Sequence, residues 1–206
     1  MDVTVNRERG IGGSDCYDLM VTGNWKRLYD KKVNAVTEDL SDNFRVQLGV
    51  WTEDFNMQWL MKKLRSEKKQ TNKGVHIFEV EANHILNSTD WRDLKKEKFI
   101  DLDDKNKLCL YAHLDGYIPS KKCIIECKHT SELKTLSDLI ESYNPQMQHY
   151  MHVFDCDKCI ISGIFGNKDH KFQVVERDDA FIERLVEMQK AFWGYVINKT
   201  PPEIND

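Results

Sequence analysis

The sequence predicts an α/β domain in which a mixed central β-sheet carries helices on both faces, and three observations support that expectation. A long segment from about Phe44 to Lys69 has helical periodicity, with Glu53, Met57, Leu60 and Leu64 on one face and Gln58, Lys62 and Arg65 on another. Two apolar β-like runs, Leu108 to Leu114 and Cys123 to Lys128, flank Pro119-Ser120-Lys121-Lys122 as the arms of a hairpin. Beyond them helical and strand patterns follow one another to the end of the chain, the order expected when helices cover a sheet.

Taken in order, Gly10-Ile11-Gly12-Gly13-Ser14-Asp15 reads as a flexible loop ending at a helix N-cap, with Cys16 to Met20 as the first turns. Gly23-Asn24 breaks that helix before a second one near Trp25 to Lys32. The long helix follows, and Glu53 is the odd member of its apolar stripe. Val75 to Leu86 and Phe99 to Leu102 are expected as strands, with their pairing left open by the Asn, Asp and Lys clusters between them.

If Ser120 and Lys121 form a two-residue hairpin loop, positions whose numbers sum to 241 face each other. Asp115 then stands opposite Glu126, and Lys128 projects from the same face as Glu126. Ser131 to Tyr143 and Pro145 to Val153 read as two helices, and Cys159 to Phe165 as a buried strand. Asp178 or Asp179 can cap a last helix from about Ala180 to Asn198, in which Phe181, Leu185, Met188, Phe192 and Val196 recur at helical spacing before Pro201-Pro202 stops it.

Composition bounds the reading. The 206 residues hold 40% hydrophobic and 31% charged side chains, enough for a core and too much apolar surface for a disordered or fibrous chain. With no repeat and no Gly/Ser- or Pro-rich linker, a single domain over 1–206 is expected. No apolar run approaches the ~20 residues of a membrane span, and the amino terminus lacks a signal-type stretch, so a cytoplasmic protein without membrane contact is expected. The six cysteines are too sparse for a secreted disulfide framework. A formal net charge of −4 argues against a broad cationic surface and leaves room for a local basic channel.

An Asp followed about ten residues later by Glu-x-Lys on a neighbouring strand suits phosphodiester cleavage. Two carboxylates offer hard oxygen ligands to Mg²⁺, and a lysine can serve the attacking water or stabilise charge on the phosphate. Here the residues are Asp115, Glu126 and Lys128. A bare string of this kind is more often an ordinary cross-strand charge pair. Glu126 and Lys128, however, sit among Ile124, Ile125 and Cys127, where unpaired charges are costly, and Glu53 offers a third carboxylate.

Six motifs then occur in order: Arg7-x-x-Gly10-Ile11-Gly12-Gly13-Ser14-Asp15, Leu48-Gly49 with Glu53, His113-Leu114-Asp115-Gly116, Glu126-Cys127-Lys128, Pro145-Gln146-x-Gln148-His149-Tyr150 and Phe192-Trp193-x-x-Val196. Together they resemble the YqaJ-type viral recombinase family of PD-(D/E)xK nucleases, relatives of the phage lambda exonuclease, over most of the chain. The resemblance implies a restriction-endonuclease-like fold. It implies that Asp115, Glu126 and the Cys127 carbonyl hold Mg²⁺, with Mn²⁺ able to substitute, and that Glu53 supports a metal or its waters. Lys128 would serve the attacking water, and Gln146 would orient that lysine or the scissile phosphate. Arg7 and Ser14 keep the spacing of an arginine and a serine that bind the 5′-phosphate in lambda-like enzymes, and Lys134 falls where relatives place a further basic contact. A helix start rich in glycine suits a phosphate on physical grounds too. The chain departs from the pattern at His113, where relatives carry a small hydroxyl residue.

The implied function is a Mg²⁺-dependent 5′-to-3′ exonuclease on double-stranded DNA ends. Its 3′ overhangs would feed a single-strand-annealing recombinase in phage-type recombination, in the cytoplasm of a host cell. Relatives form a ring of three subunits threaded by DNA. Two alternatives stand beside this reading: a same-fold endonuclease or iron–sulfur nuclease of the CRISPR-adaptation kind, and a non-catalytic module that binds DNA ends or a recombinase. His149-x-x-His152-x-x-x-Cys156-x-x-Cys159 has residue types that suit zinc, but its cysteines read better as structural. The basic run Lys62, Lys63, Arg65, Lys68, Lys69 and Lys73 reads as a solvated helix face, and Trp25, Trp51 and Trp59 as core.

Overall fold

The computed structural model describes residues 10–34, 39–66, 96–103 and 108–203. In chain order they form β1 (Gly10–Gly12), α1 (Asp15–Met20), α2 (Trp25–Val33), α3 (Phe44–Ser66), β2 (Lys96–Asp103), β3 (Leu108–Leu114), β4 (Gly116–Ile118), a 3₁₀ turn (Pro119–Lys121), β5 (Cys123–Thr130), α4 (Leu136–Phe154), β6 (Lys158–Phe165), β7 (Asp169–Glu176) and α5 (Asp179–Asn198). Among these helices none is long and apolar enough to cross a membrane.

The strands divide into two mixed sheets, ordered β1-β3-β2 and β4-β5-β6-β7. β5 and β6 run parallel, which needs a crossover, and α4 supplies it. Alternation along β5 sends successive side chains to opposite faces. Ile124 packs with Met147, Tyr150, Leu185 and Phe192 of α4 and α5, whereas Ile125 and Cys127 pack with Met57, Leu60, Met61 and Leu64 of α3. The central strand of the second sheet is thus buried on both sides, which fits its nearly continuous apolar sequence.

Several expectations change. Gly10–Gly12 is a short buried strand parallel to β3. A Cβ at Gly10 would lie 2.1 Å from the Cys109 carbonyl oxygen, so glycine serves a close backbone approach there and not a flexible loop. The run Leu108–Leu114 joins the first sheet, and the arm that pairs with β5 is the short β4. The register is nevertheless the expected one, since Gly116, Tyr117 and Ile118 pair with Ile125, Ile124 and Cys123. The connection is longer than two residues. Pro119–Lys121 form the 3₁₀ turn and Lys122 takes the left-handed conformation at φ 43°.

α4 is one helix with Pro145 inside it. An interior proline costs ~3 kcal/mol. Here Pro145 through Met151 are all buried, so packing on both sides outweighs that cost. Thr135 and Asp138 close the amino-terminal end as a reciprocal capping box. β7 had no sequence signal, because only alternate residues of Asp169–Glu176 turn inward and the strand is polar. Val75 to Leu86 and the stretch from 67 to 69 lie outside the described residues.

Candidate active site

Asp115 stands where the chain leaves β3 and enters β4, at the seam between the two sheets. The β4–β5 ladder ends at the pair Gly116 and Ile125, one step before Asp115 would meet Glu126. In place of a strand partner, the Asp115 carboxylate Oδ2 accepts the Cys127 backbone N–H at 2.7 Å. A hydrogen-bonded antiparallel residue uses its N–H and C=O on the same edge, so the Cys127 carbonyl also leaves β5 on the Asp115 side. A Cβ at Gly116 would come within 2.9 Å of Met57 Cε, which sets α3 directly over this bend.

Glu126 and Lys128 follow on β5, two residues apart and on the face covered by α4. Glu126 is 2% exposed, and all of its described partners gather on one oxygen. Lys128 Nζ lies 2.5 Å from Glu126 Oε1, and Gln146 Nε2 donates to the same oxygen at 2.8 Å and to the Tyr150 hydroxyl at 3.0 Å. The ammonium of Lys128 also sits 4.5 Å from the centre of the Tyr143 ring. Glu126 Oε2 is buried with no hydrogen-bond partner among the described residues. A buried carboxylate oxygen left bare is costly unless something else meets it.

Glu53 lies one helical turn before Met57 on the same face of α3. Its charge reaches the cluster, because it pushes both Asp115 and Glu126 upward. Burial is the largest influence holding Asp115 well above the usual carboxylate range, followed by Glu126, with the Lys128 ammonium and the Cys127 N–H opposing. Burial likewise raises Glu126, against the charge and hydrogen bond of Lys128. Burial alone would lower Lys128, but Glu126 and Asp115 outweigh it and keep the amine protonated. The site therefore gathers carboxyl groups whose burial and mutual proximity disfavour their ionised forms, with Lys128 as an opposing cation. Its donors are hard oxygens, the kind that Mg²⁺ takes a few of while keeping several waters. Among the described residues no three His, Cys, Asp or Glu side chains form a preassembled metal cage.

Ser14 and Lys134 come together with Gln146 in a cavity of about 440 Å³, lined also by Thr130 and Tyr143. Ser14 has helical backbone angles and makes no capping bond. Ser14 thus holds the N-cap position without capping, and Asp15 turns back instead, its Oδ2 accepting the Gly12 N–H at 2.9 Å. Arg7 lies outside the described residues. His113 packs edge-on to Tyr111, with ring centroids 5.5 Å apart.

Sequence reasoning missed three contributors. Tyr143 and Tyr150 frame the Lys128–Glu126–Gln146 array; Tyr150 closes the Pro145–Tyr150 motif without a role assigned to it there, and nothing in the spacing marks Tyr143. Asn56 was detectable, as a polar residue inside the apolar stripe of α3. It is 1% exposed, and its amide donates to the carbonyls of Lys128 and Ser162 at 3.0 Å each. Its oxygen accepts the Ser162 hydroxyl at 2.7 Å and lies 3.1 Å from His170 Nε2.

The zinc-like string does not assemble. His149 Nε2 lies 2.9 Å from the Tyr111 carbonyl and Nδ1 2.9 Å from Gln189 Nε2. Burial lowers its pKa to about 4, so it is a neutral core histidine. Cys156 and Cys159 are buried thiols, both raised by burial. Trp25 is packed edge-on to Phe192 and Tyr195, as expected of core. Trp51 is 81% exposed on the outward face of α3, which overturns its assignment to the core.

Residues 4–157 match the YqaJ-like viral recombinase domain. The uncharacterized protein YqaJ of Bacillus subtilis (strain 168) is 28% identical over 199 residues, which cover 92% of this chain and 54% of that protein. The chain thus spans about half the length of the curated relative it matches. Among solved structures, an alkaline exonuclease from Laribacter hongkongensis aligns with a TM-score of 0.56 at 17% identity, over 94% of this chain and 91% of that one. The same enzyme in complex with dAMP aligns with a TM-score of 0.59 at 16% identity, over the same shares. The likeness to these structures is one of fold.

Proposed function

Because the chain belongs to the YqaJ-like viral recombinase domain family, we propose that it is a Mg²⁺-dependent deoxyribonuclease that degrades one strand of duplex DNA from a 5′-phosphorylated end. The observation that carries this reading is the bare Glu126 Oε2, buried beside Asp115 and within the charge field of Glu53. Asp115, Glu126, the Cys127 carbonyl and Glu53 would hold Mg²⁺, or Mn²⁺ in its place. When bound, the ion supplies a polarised phosphate oxygen and a more acidic water.

The chain's own groups do the rest. The Cys127 N–H fixes the Asp115 carboxylate, and Gln146 fixes the rotamer of Glu126. Lys128, which Glu126 and Asp115 keep protonated in the structure, is placed to meet negative charge growing on the phosphate. Ser14 and Lys134 would receive the terminal 5′-phosphate in the cavity they line with Gln146, and Arg7 would add its guanidinium as the resemblance implies. The 3′ overhang would pass to a single-strand-annealing recombinase in a host cytoplasm. Three copies in a ring would bring the basic residues to a shared bore.

A linear duplex labelled at one 5′ or one 3′ end, incubated with Mg²⁺ beside a circular control, tests this. Mononucleotides released from the 5′-phosphorylated end of the linear DNA alone are expected. Nicking of the circle would assign an endonuclease, and end binding without cleavage would assign a non-catalytic module.

A further inference from the structure

The last two residues of β5 serve opposite faces of the sheet. Thr130 lines the cavity that holds Ser14 and Lys134, whereas His129 lines a second cavity of about 530 Å³ on the α3 side. Small-molecule sites span about 300–1,000 Å³, so this space is large enough for a nucleotide-sized group. His129 is fixed in it, with Nδ1 3.0 Å from Thr52 Oγ1 and Nε2 2.9 Å from the Gly166 carbonyl. Thr52 immediately precedes Glu53 on α3 and His129 immediately follows Lys128 on β5, so the second cavity is built on the same two elements as the candidate active site, with the His129 and Lys128 side chains on opposite faces of the strand.

Its wall is aromatic and its rim is cationic. Phe55 and Trp59, one turn apart on α3, stack with centroids 5.8 Å apart and an interplanar angle of 25°. Phe55 is 56% exposed, and Ile164 extends the apolar floor. Lys63 and Lys168 line the opening, and Lys62 and Lys63 hold their ammonium groups 4.5 and 5.9 Å from the Trp59 ring centre. Among the described residues lining the opening, the carboxylate is Asp169, which Lys171 engages at 3.2 Å. An aromatic platform beside positive charge matches the two faces of an unpaired nucleotide, because every base has a π-face and every phosphate is anionic.

We propose that this cavity takes one unpaired base of the DNA strand at the candidate active site, stacked on Phe55 and Trp59, with Lys63 and Lys168 against the flanking phosphates. The proposal rests on the nuclease reading of the neighbouring site. It gives that reading a device for capturing a base freed from a fraying end, separate from the 5′-phosphate cavity on the other face of β5.

The test uses 5′-phosphorylated duplexes carrying 2-aminopurine at successive positions from the end, bound in EDTA so that nothing is cut. Wild type should quench the probe at one or two adjacent positions. Phe55→Ala and Trp59→Ala should restore the fluorescence and weaken binding about tenfold, while Trp51→Ala leaves both unchanged. Phe55 is a surface residue, so its replacement keeps the test valid if Trp59→Ala fails to fold. Quenching that is absent at every position, or identical in the Phe55 and Trp59 variants, overturns the proposal. An apolar dye bound in the cavity and not displaced by oligonucleotide would assign it to a protein segment and overturn it too. Cleavage by wild type is scored separately with Mg²⁺. Cleavage with unaltered quenching in the variants removes the base site alone, whereas quenching lost in the variants without cleavage under any divalent metal removes the nuclease reading and keeps the base site.

Discussion

Replacing Gln146 by leucine tests whether the buried carboxylate is held in place for catalysis. The substitution keeps the approximate volume and removes two bonds, one to Glu126 at 2.8 Å and one to the Tyr150 hydroxyl at 3.0 Å. A hydrogen bond to a charged acceptor contributes ~1.5–3 kcal/mol and a neutral one ~1 kcal/mol. Lys128 remains on Glu126 at 2.5 Å, so the carboxylate is weakened and not abandoned. The expected loss is about 3 kcal/mol. For a chain of 206 residues that corresponds to a fall in Tm of about 6–12 °C.

The functional effect should be larger than the structural one suggests. A residue that orients a metal-ligating carboxylate typically changes metal affinity or activity ~10–100-fold. Urea unfolding without divalent ions reads the stability, calorimetric titration with Mg²⁺ reads the site, and release of labelled nucleotide reads turnover. Tyr150→Phe is the control, because it removes only the neutral bond, and about 1 kcal/mol with turnover nearly intact is expected. A Gln146→Leu protein that binds Mg²⁺ as wild type does, or a Tyr150→Phe protein that loses turnover equally, would refute positioning through Glu126.

Lys128→Ala should lower cleavage about a thousandfold or more while DNA ends still bind, and preserved turnover in the labelled-duplex assay would remove the lysine from the chemistry. Asp115→Asn keeps an acceptor for the Cys127 N–H and removes a carboxylate that burial and Glu126 hold above its usual range. It should therefore be no less stable than wild type at neutral pH and bind no stoichiometric Mg²⁺ by calorimetry, and retained binding would move the metal elsewhere. Arg7→Ala and Lys134→Ala should each narrow the preference for 5′-phosphorylated over 5′-hydroxyl ends several-fold, read as a ratio of initial rates; an unchanged ratio refutes the cavity. His149, lowered from 6.5 to about 4, refuses a proton that the unfolded chain accepts. Its stabilising effect is complete above pH ~6.5 and falls as the pH drops toward 4, by about 3 kcal/mol in all, so His149→Gln should flatten the urea midpoint across that window.

The placement of Glu126 and Lys128 on one face of a strand beside Asp115 was legible because it depends on local rules. Period-two alternation put Glu126 and Lys128 on one face, and the turn residues fixed the register that β4 and β5 keep. The turn itself was misread without harm, since the 3₁₀ turn and left-handed Lys122 close the chain on the same pairs. What sequence reading lost was non-local. Leu108–Leu114 is as apolar as a hairpin arm, but which sheet a strand joins is decided by partners far away, here Gly10–Gly12 and Lys96–Asp103. Trp51 was assigned by type, although it stands off the Glu53–Met57–Leu60 stripe and faces solvent. Asn56 carried a usable signal, a polar side chain where the stripe demands an apolar one, and reading Glu53 that way should have led to Asn56 as well.

Asn56 also explains how a strained site keeps its geometry. Asp115 is pushed up by burial, Glu126 and Glu53, and Glu126 by burial and Glu53, so the ionised carboxylates work against the fold that gathers them. Apolar packing of Met57, Leu60 and Leu64 holds α3 on the sheet but tolerates small slides, because dispersion has little direction. Hydrogen bonds do not tolerate them. By bonding at once to the Lys128 and Ser162 carbonyls, Asn56 ties α3 to β5 at Lys128 and to β6 beside it. Glu53 lies one turn before Asn56 and Trp59 one turn after it. The third carboxylate and the aromatic wall of the second cavity are therefore indexed to Lys128 through the same amide, and a shift of α3 sufficient to misplace one would misplace both.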